Sequence, residues 1–336
     1  LAETSEVAWL ASPILEAPGI LDAAVAANAR GVRVKVLSEI RTRGRIKARG
    51  FLADPLDGDA QRHETGRRRL GLDGVRVRST SSYLHAKVWC FDNSAYVGSS
   101  NLADNALSVG REPSIEAGII FRREDDVAVL KQQLKMIWAS CSLKQQSVPG
   151  DIYVVEDGGK SLDPALLASR SDGGATFGWH LPQCDAHPAT EALIKAIQSA
   201  EQTVRFVAMS FYDLGRVPGL FAAIIEALAR GVHVRAVVRH PYFRPDQYPD
   251  RDTRRLLNAG MHLEGLPRLH AKGAAVDGRW ALLFSGNFNP YSLAGAAESD
   301  HVELGVWGPC GVPELDAWAD WIGQVRGSWR WSNPER

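Results

Sequence analysis

Residues 29–37 read ARGVRVKVL and residues 229–237 read ARGVHVRAV. After each glycine, apolar side chains fall on alternate positions, the period of a half-buried strand. The stretches just before, PGILDAAVAANA (18–29) and PGLFAAIIEALA (218–229), are Ala-rich and helical in spacing. A glycine that closes a helix and opens a strand is expected at both places. Short apolar runs upstream, VAWLAS and VRFVAMS, predict the strand that leads into each helix. The pattern therefore predicts strand, helix, strand twice over. Alternating elements of this kind build an α/β sheet flanked by helices.

The two copies lie 185–200 residues apart, a distance that marks a duplicated domain and not a solenoid. Turn residues crowd between them in PGD, EDGGKS, SDGGA and LPQ. The expected organisation is a first lobe over 1–140, a connecting segment over 141–189 and a second lobe over 190–336. DIYVVE (151–156) reads as a strand inside the connection. The helix predicted over TEALIKAIQSAEQ (190–202) has no counterpart in the first half. Gly31 stands 54 positions before His85, but Gly231 only 39 before His270, which places an insertion in the first half.

Composition adds little in bulk and more in detail. The 39 basic and 39 acidic residues cancel, so no global field dictates a polyanionic or membrane partner. Between Arg30 and Lys87, however, fifteen Lys and Arg face six Asp and Glu, through RTRGRIKARG (41–50) and Arg67-Arg68-Arg69. That surplus is either a solvated charged face or a phosphate-attracting rim. Four scattered cysteines do not make a disulfide framework and point to a reducing compartment. No apolar run approaches the roughly 18 residues of a membrane span. A cytoplasmic location is expected, or a secreted one had a leader preceded Leu1, since the chain does not begin with Met and the natural start is expected upstream.

The chemistry lies in a second repeat. YLHAKVWCFD (83–92) returns as RLHAKGAAVD (268–277), so His, Lys and Asp recur at fixed spacing. Each is followed by a Ser and an Asn, Ser99 and Asn101, then Ser285 and Asn287, and further on by Glu116 in SIEAGIIF and Glu303 in HVELGVW. On a strand, His85 and Lys87 share a face, as do His270 and Lys272. Two imidazoles facing each other offer a nucleophile and a proton donor. Two lysines and two asparagines supply charge and N–H donors around a tetrahedral anion, and each glutamate can orient the histidine of its own half. Such a set suits displacement at phosphorus, with no metal needed.

H-x-K-x4-D followed by Ser and Asn, twice in one chain, resembles the phospholipase D superfamily and its paired HKD motif. The resemblance covers both halves and, in its texture, is similar to compact nuclease-like bacterial members. It implies two phospholipase D-like α/β lobes, each a mixed sheet with flanking helices, related by a pseudo-twofold axis around one active site. It further implies His85 as the nucleophile that becomes phosphorylated and His270 as general acid, with Lys87, Lys272, Glu116 and Glu303 completing the catalytic set. Asn101, Asn287, Ser99 and Ser285 are implied as phosphate ligands, and Asp92 and Asp277 as structural. No metal or cofactor is implied, and one chain holding both motifs is expected to act as a monomer. The second half departs from the family pattern: Phe284 replaces a glycine before Ser285, and one extra residue precedes Asn287, which leaves Asn289 as its substitute.

A metal-independent phosphodiesterase is therefore expected, acting on nucleic acid. The alternatives are phosphatidyl transfer or hydrolysis at phospholipid headgroups, with HPYFRPDQYPD (240–250) as the apolar rim, and a non-catalytic nucleic-acid-binding module. His180, Cys184 and His187 have spacing tolerable for a metal but no evident fourth ligand. EDGGKS (156–161) is expected to be a plain turn. The tryptophan pairs 318/321 and 329/331 are expected to pack a helix and dock the C-terminal segment.

Overall fold

The structure, a computed structural model, describes residues 1–40, 58–107, 113–156, 158–182, 187–241, 249–294 and 301–331. RTRGRIKARG with its downstream flank to 57, Cys184, and the centre of HPYFRPDQYPD lie outside the described residues.

The first lobe is built on β1 (Val7–Ala11), β2 (Arg33–Leu37), β3 (Arg76–Ser79), β4 (Tyr83–Leu84), β5 (Val88–Cys90), β6 (Ala95–Gly98) and β7 (Gly118–Phe121). The connection then adds β8 (Leu143–Val148), β9 (Asp151–Glu156), β10 (Ala168–Arg170) and β11 (Thr176–His180). The second lobe follows with β12 (Thr203–Ala208), β13 (His233–Arg239), β14 (His262–Leu266), β15 (Gly273–Val276), β16 (Trp280–Phe284), β17 (His301–Pro309) and β18 (Trp329–Trp331). Among the described residues, one sheet has the order β7-β6-β5-β1-β2-β3-β8-β9, and the other β10-β11-β17-β16-β15-β12-β13-β14-β18, with β4 attached to β17. The central six strands repeat in order and in direction: β1, β2 and β3 run parallel, as do β12, β13 and β14, and the remaining neighbours are antiparallel. The duplication read from sequence is a duplication of sheets.

Helices α1 (Pro18–Ala29), α2 (Gly58–Leu72), α3 (Glu124–Ser140), α4 (Pro188–Gln198), α5 (Leu220–Ala229), α6 (Arg251–Asn258), α7 (Pro290–Leu293) and α8 (Pro313–Gln324) cover the sheets. Helix α1 ends where expected, because Gly31 takes φ +92° and lets the amides of Gly31 and Val32 turn back to Asn28 and Ala27. Gly231 at φ +86° does the same for α5. Both are Schellman closures, which need a residue that tolerates the left-handed region.

The connecting segment is shared out. Its hairpin β8–β9, including the strand expected at 151–156, extends the first sheet, and β10–β11 extends the second. One apolar cluster joins the inner faces of both sheets and takes in the buried sides of α3 (Leu130, Leu134, Ile137) and α8 (Leu315, Trp318, Ile322). The outer face of each lobe has its own cluster. The lobes thus share a core. Trp318 stacks on Trp321 and donates to the Leu282 carbonyl, and Trp329 and Trp331 lie on β18 against His240.

The lobes also exchange backbone. Strand β4 pairs with the start of β17, Tyr83 opposite His301 and Leu84 opposite Val302. Ile115, just ahead of β7, bridges Leu269 in the same parallel sense. Each histidine strand therefore crosses to the glutamate strand of the other lobe.

Candidate active site

The crossing decides which acid meets which base. The His85 amide donates to the Val302 carbonyl and the His270 amide to Ile115. Glu303 consequently stands beside His85, with Nδ1 to Oε1 at 2.8 Å, and Glu116 beside His270, with Nδ1 to Oε2 at 2.8 Å. Sequence reasoning gave each histidine the glutamate of its own half; the strands swap them. The reason is tertiary, since neither β4 nor the chain ahead of His270 pairs with its own lobe's glutamate strand.

Alternation along the strands does the rest. Ala86 and Ala271 point into the core, and Lys87 and Lys272 are fully buried beneath the histidines. Each ammonium donates to the carbonyl of the histidine two residues before it. Asp92 stays out of the cleft: its carboxylate accepts from the Ser5 amide (2.7 Å), the Ser5 hydroxyl (2.9 Å) and the Glu6 amide (3.3 Å). Asp277 does the same at the head of β12, taking the amides of Glu201, Gln202 and Thr203. Both pin the entry of a central strand.

The serines hold the glutamates. Ser285 Oγ donates to Glu303 Oε2 at 2.6 Å and Ser99 Oγ to Glu116 Oε2 at 2.5 Å, and both hydroxyls are buried. They were expected as phosphate ligands; in the structure each hydroxyl is donated to a glutamate carboxylate. Asn101 and Asn287 each keep a buried Oδ1 without a protein partner, so these amides are unspent among the described residues. The register also accounts for the irregular second half. Gly98 and Phe284 both donate to the carbonyl of the motif lysine, so they are equivalent, and the extra residue sits in the 277–279 turn. Ser285 and Asn287 therefore match Ser99 and Asn101. Asn289 is not a substitute: it caps α7 by accepting from the Ser292 amide.

Electrostatics follow from burial. Burial lowers His85 to about 3, with Lys87 and His301 adding to the effect and Glu303 opposing it. His270 falls to about 4, by burial and then Lys272, against Glu116. Burial also brings Lys272 down to about 8 and Lys87 well below the ammonium range, with both glutamates resisting. Burial works against ionised Glu116 and Glu303, but histidine contacts and the lysines hold both low. Coupling crosses the lobes, because Lys87 acts on His270 and Lys272 on Lys87. The Nε2 atom of each catalytic-motif histidine has no hydrogen-bond partner among the described residues.

Three residues beside His85 escaped sequence reasoning. His301 has its ring 5.3 Å from that of His85 and its Nδ1 3.5 Å from Glu303 Oε1. Tyr83 packs on both rings, at 5.7 and 5.1 Å. Ser292 Oγ donates to Glu303 Oε1 at 2.9 Å. His301 had a signal, its place two residues before Glu303 on a strand and so on one face; Ser292 had none. His85, His301 and Glu303 also offer ligand atoms within 4.8 Å of one another, the one such trio among the described residues. The Lys87 charge acting on Glu303 opposes a dication there. His180 and His187 lie with their Nδ1 atoms 2.5 Å apart, and His180 stands opposite Glu303 in the register of β11 and β17.

Each arginine of the triplet has an acidic partner, Arg67 in the interior and Arg68 and Arg69 at the surface. Arg67 is buried on Glu64, Arg68 meets Asp151 at 2.8 Å and Arg69 pairs with Asp22. It is not a free rim.

Comparisons agree with this architecture. The model of the cardiolipin synthase phospholipase D-like domain matches residues 1–138 and 193–304, the larger part of the chain. The chain belongs to this family, within the phospholipase D superfamily. Its enzymes are phosphodiesterases and transferases, and the protein is an enzyme of that kind. Among solved structures it is similar to phosphatidylserine synthase of Haemophilus influenzae Rd KW20, at 14% identity over 96% of this chain and 81% of that one, with a TM-score of 0.64. It is similar to polyphosphate kinase of Porphyromonas gingivalis at 13% identity over 100% of this chain and 47% of the kinase, with a TM-score of 0.59. Nuc, a phospholipase D family member from Salmonella typhimurium, aligns at 21% identity with 47% of this chain and 98% of its own, TM-score 0.36. A search of the curated proteins gave no match. No helix among the described residues is long and apolar enough to cross a membrane.

Proposed function

We propose that the protein cleaves or transfers phosphodiesters by double displacement through a phosphohistidine. The carrying observation is the pair of crossed dyads: each Nδ1 is fixed on a glutamate of the other lobe, so each Nε2 is free to act. His85 Nε2 attacks phosphorus and forms a P–N bond. The P–O bond to the leaving group breaks, and its oxygen takes the Nε2 proton of His270, which enters the step as the imidazolium with its Nδ1–H on Glu116. Water or an alcohol then attacks, gives its proton to His270, and the P–N electrons return to His85. Lys87, Lys272, Asn101 and Asn287 stabilise the equatorial oxygens, and Ser99 and Ser285 keep the glutamates in place.

For substrate, a phospholipid headgroup diester is favoured. Its support is the acidic partner beside each arginine of the triplet, which offsets part of the polyanion rim, and the half-exposed Tyr291 beside His301, an aromatic edge suited to a lipid–water boundary. The family model's cardiolipin synthase and the similar phosphatidylserine synthase are consistent with it. Nucleic acid is the second reading. Arg33 and Lys35 on β2 stand beside Arg76 and Arg78 on β3, a cationic lattice on one sheet face, whereas the second lobe answers Arg235 with Glu264. Incubation in EDTA with phosphatidylcholine–phosphatidylglycerol vesicles, single- and double-stranded DNA, and RNA decides the matter. Headgroup release with intact nucleic acid is expected; the converse establishes the second reading, and turnover abolished by EDTA overturns the metal-independent scheme.

A further inference from the structure

The site is symmetric in its dyads and asymmetric around them. By the exchange that pairs Leu84 with Val302 and Leu269 with Ile115, the counterpart of His301 is Ser114. The counterpart of Tyr83 is Arg268. His85 alone therefore has a second imidazole against its ring.

That imidazole also touches the acid. Glu303 Oε1 accepts from His85 at 2.8 Å and from Ser292 at 2.9 Å, and faces His301 Nδ1 at 3.5 Å, while Oε2 holds Ser285. Among the described residues, Glu116 accepts from His270 and Ser99 alone. A carboxylate divided among more donors stabilises an adjacent imidazolium less. The described groups facing this corner are Glu303 and His301 from β17, His180 opposite Glu303 on β11, Lys87, Tyr83 from β4, Ser292 and Tyr291 from α7, and Lys272 acting from the other lobe.

We propose that His301 is a positioning residue: leaning on the His85 ring and sharing the Glu303 carboxylate, it keeps His85 the neutral attacking imidazole and leaves the proton to His270. The inference rests on the double-displacement reading. The lowering effect of His301 on His85 agrees with it.

Two variants test it, His301→Phe, which keeps a stacked ring without Nδ1, and His301→Asn, which keeps a polar group. The probe is bis(p-nitrophenyl) phosphate, and the readout is kcat/KM at pH 5 relative to pH 7, with the fold checked by circular dichroism at both. The wild-type ratio is expected to exceed that of each variant by about threefold or more, because His85 takes up a proton more readily once Glu303 is its own. An unchanged ratio in both folded variants overturns the proposal. Failure of the underlying reading looks different: intact-mass analysis of quenched wild-type enzyme then shows no aryl-phosphoryl adduct on any histidine.

Discussion

Glu303 and His85 belong to different lobes and meet at 2.8 Å, a contact made possible because β4 leaves its own sheet to pair with β17. Glu116 returns the exchange at His270. Neither lobe holds a complete dyad, so the packing of the shared core is a condition of the chemistry.

Replacing either acid tests the crossing. Glu303→Gln and Glu116→Gln keep the shape but lose the charge that fixes the tautomer of the opposite histidine. Each is expected to lower kcat by about two to four orders of magnitude with little change in KM, as in other acid–histidine pairs. Steady-state kinetics check this. A Glu303→Gln enzyme with normal kcat would remove the dyad from the mechanism.

His270→Ala separates the two steps. With bis(p-nitrophenyl) phosphate the nitrophenolate leaves without protonation, so His85 still attacks, but no base remains to activate water. Stopped-flow absorbance is expected to show a burst near one equivalent per enzyme, followed by turnover slowed about 10²- to 10⁴-fold. His85→Ala is expected to show neither burst nor turnover. A burst that survives His85→Ala would place the nucleophile elsewhere.

Helix, glycine and strand could be read twice in this chain because local periodicity and one left-handed position specify them. The His–Lys pairing on a face was readable for the same reason. Strand exchange was not: the order His, Ser, Asn, Glu is the same whether Glu116 serves His85 or His270, and only pairing at Leu84 and Leu269 decides it. Composition left Arg67–Arg69 open between a solvated face and a phosphate rim, because it counts charges but cannot see Glu64, Asp151 and Asp22 beside them. The carboxylate partners of the serines were not readable, because a hydroxyl near a histidine motif looks the same from sequence whatever it bonds to.

The two aspartates of the repeated motif are expected to matter for folding alone. Asp92→Ala frees the amides of Ser5 and Glu6 at the head of β1, and Asp277→Ala those of Glu201, Gln202 and Thr203 at the head of β12. Each change is expected to cost about 1–2 kcal/mol, kept low by solvent exposure, with kcat near wild type at low temperature. Urea melts and kinetics at 10 °C measure both. A loss of kcat in a fully folded variant would bring the aspartate into the reaction.

Activity and stability are expected to part company with pH. Lys272 must be charged to hold a phosphoryl oxygen, and burial sets its release of a proton at about 8. As pH rises through 8, kcat/KM should fall. A bound diester anion favours the ammonium, so the limb in kcat should lie higher, and both limbs report the coupled lysine pair. Stability moves the other way: between pH 8 and 10.5 the unfolded chain still holds a proton that the folded chain has released, so this lysine makes stability rise with pH. On the acid side the histidines, lowered to about 3 and 4 by burial, refuse protons that the unfolded chain accepts below about 6.5. Their contribution is intact above 6.5 and is lost as pH falls towards 4 and 3. Circular dichroism and kcat/KM recorded across pH 4–10 on one preparation check both directions. Unfolding that coincides with the alkaline loss of activity would show that the limb belongs to the fold and not to Lys272.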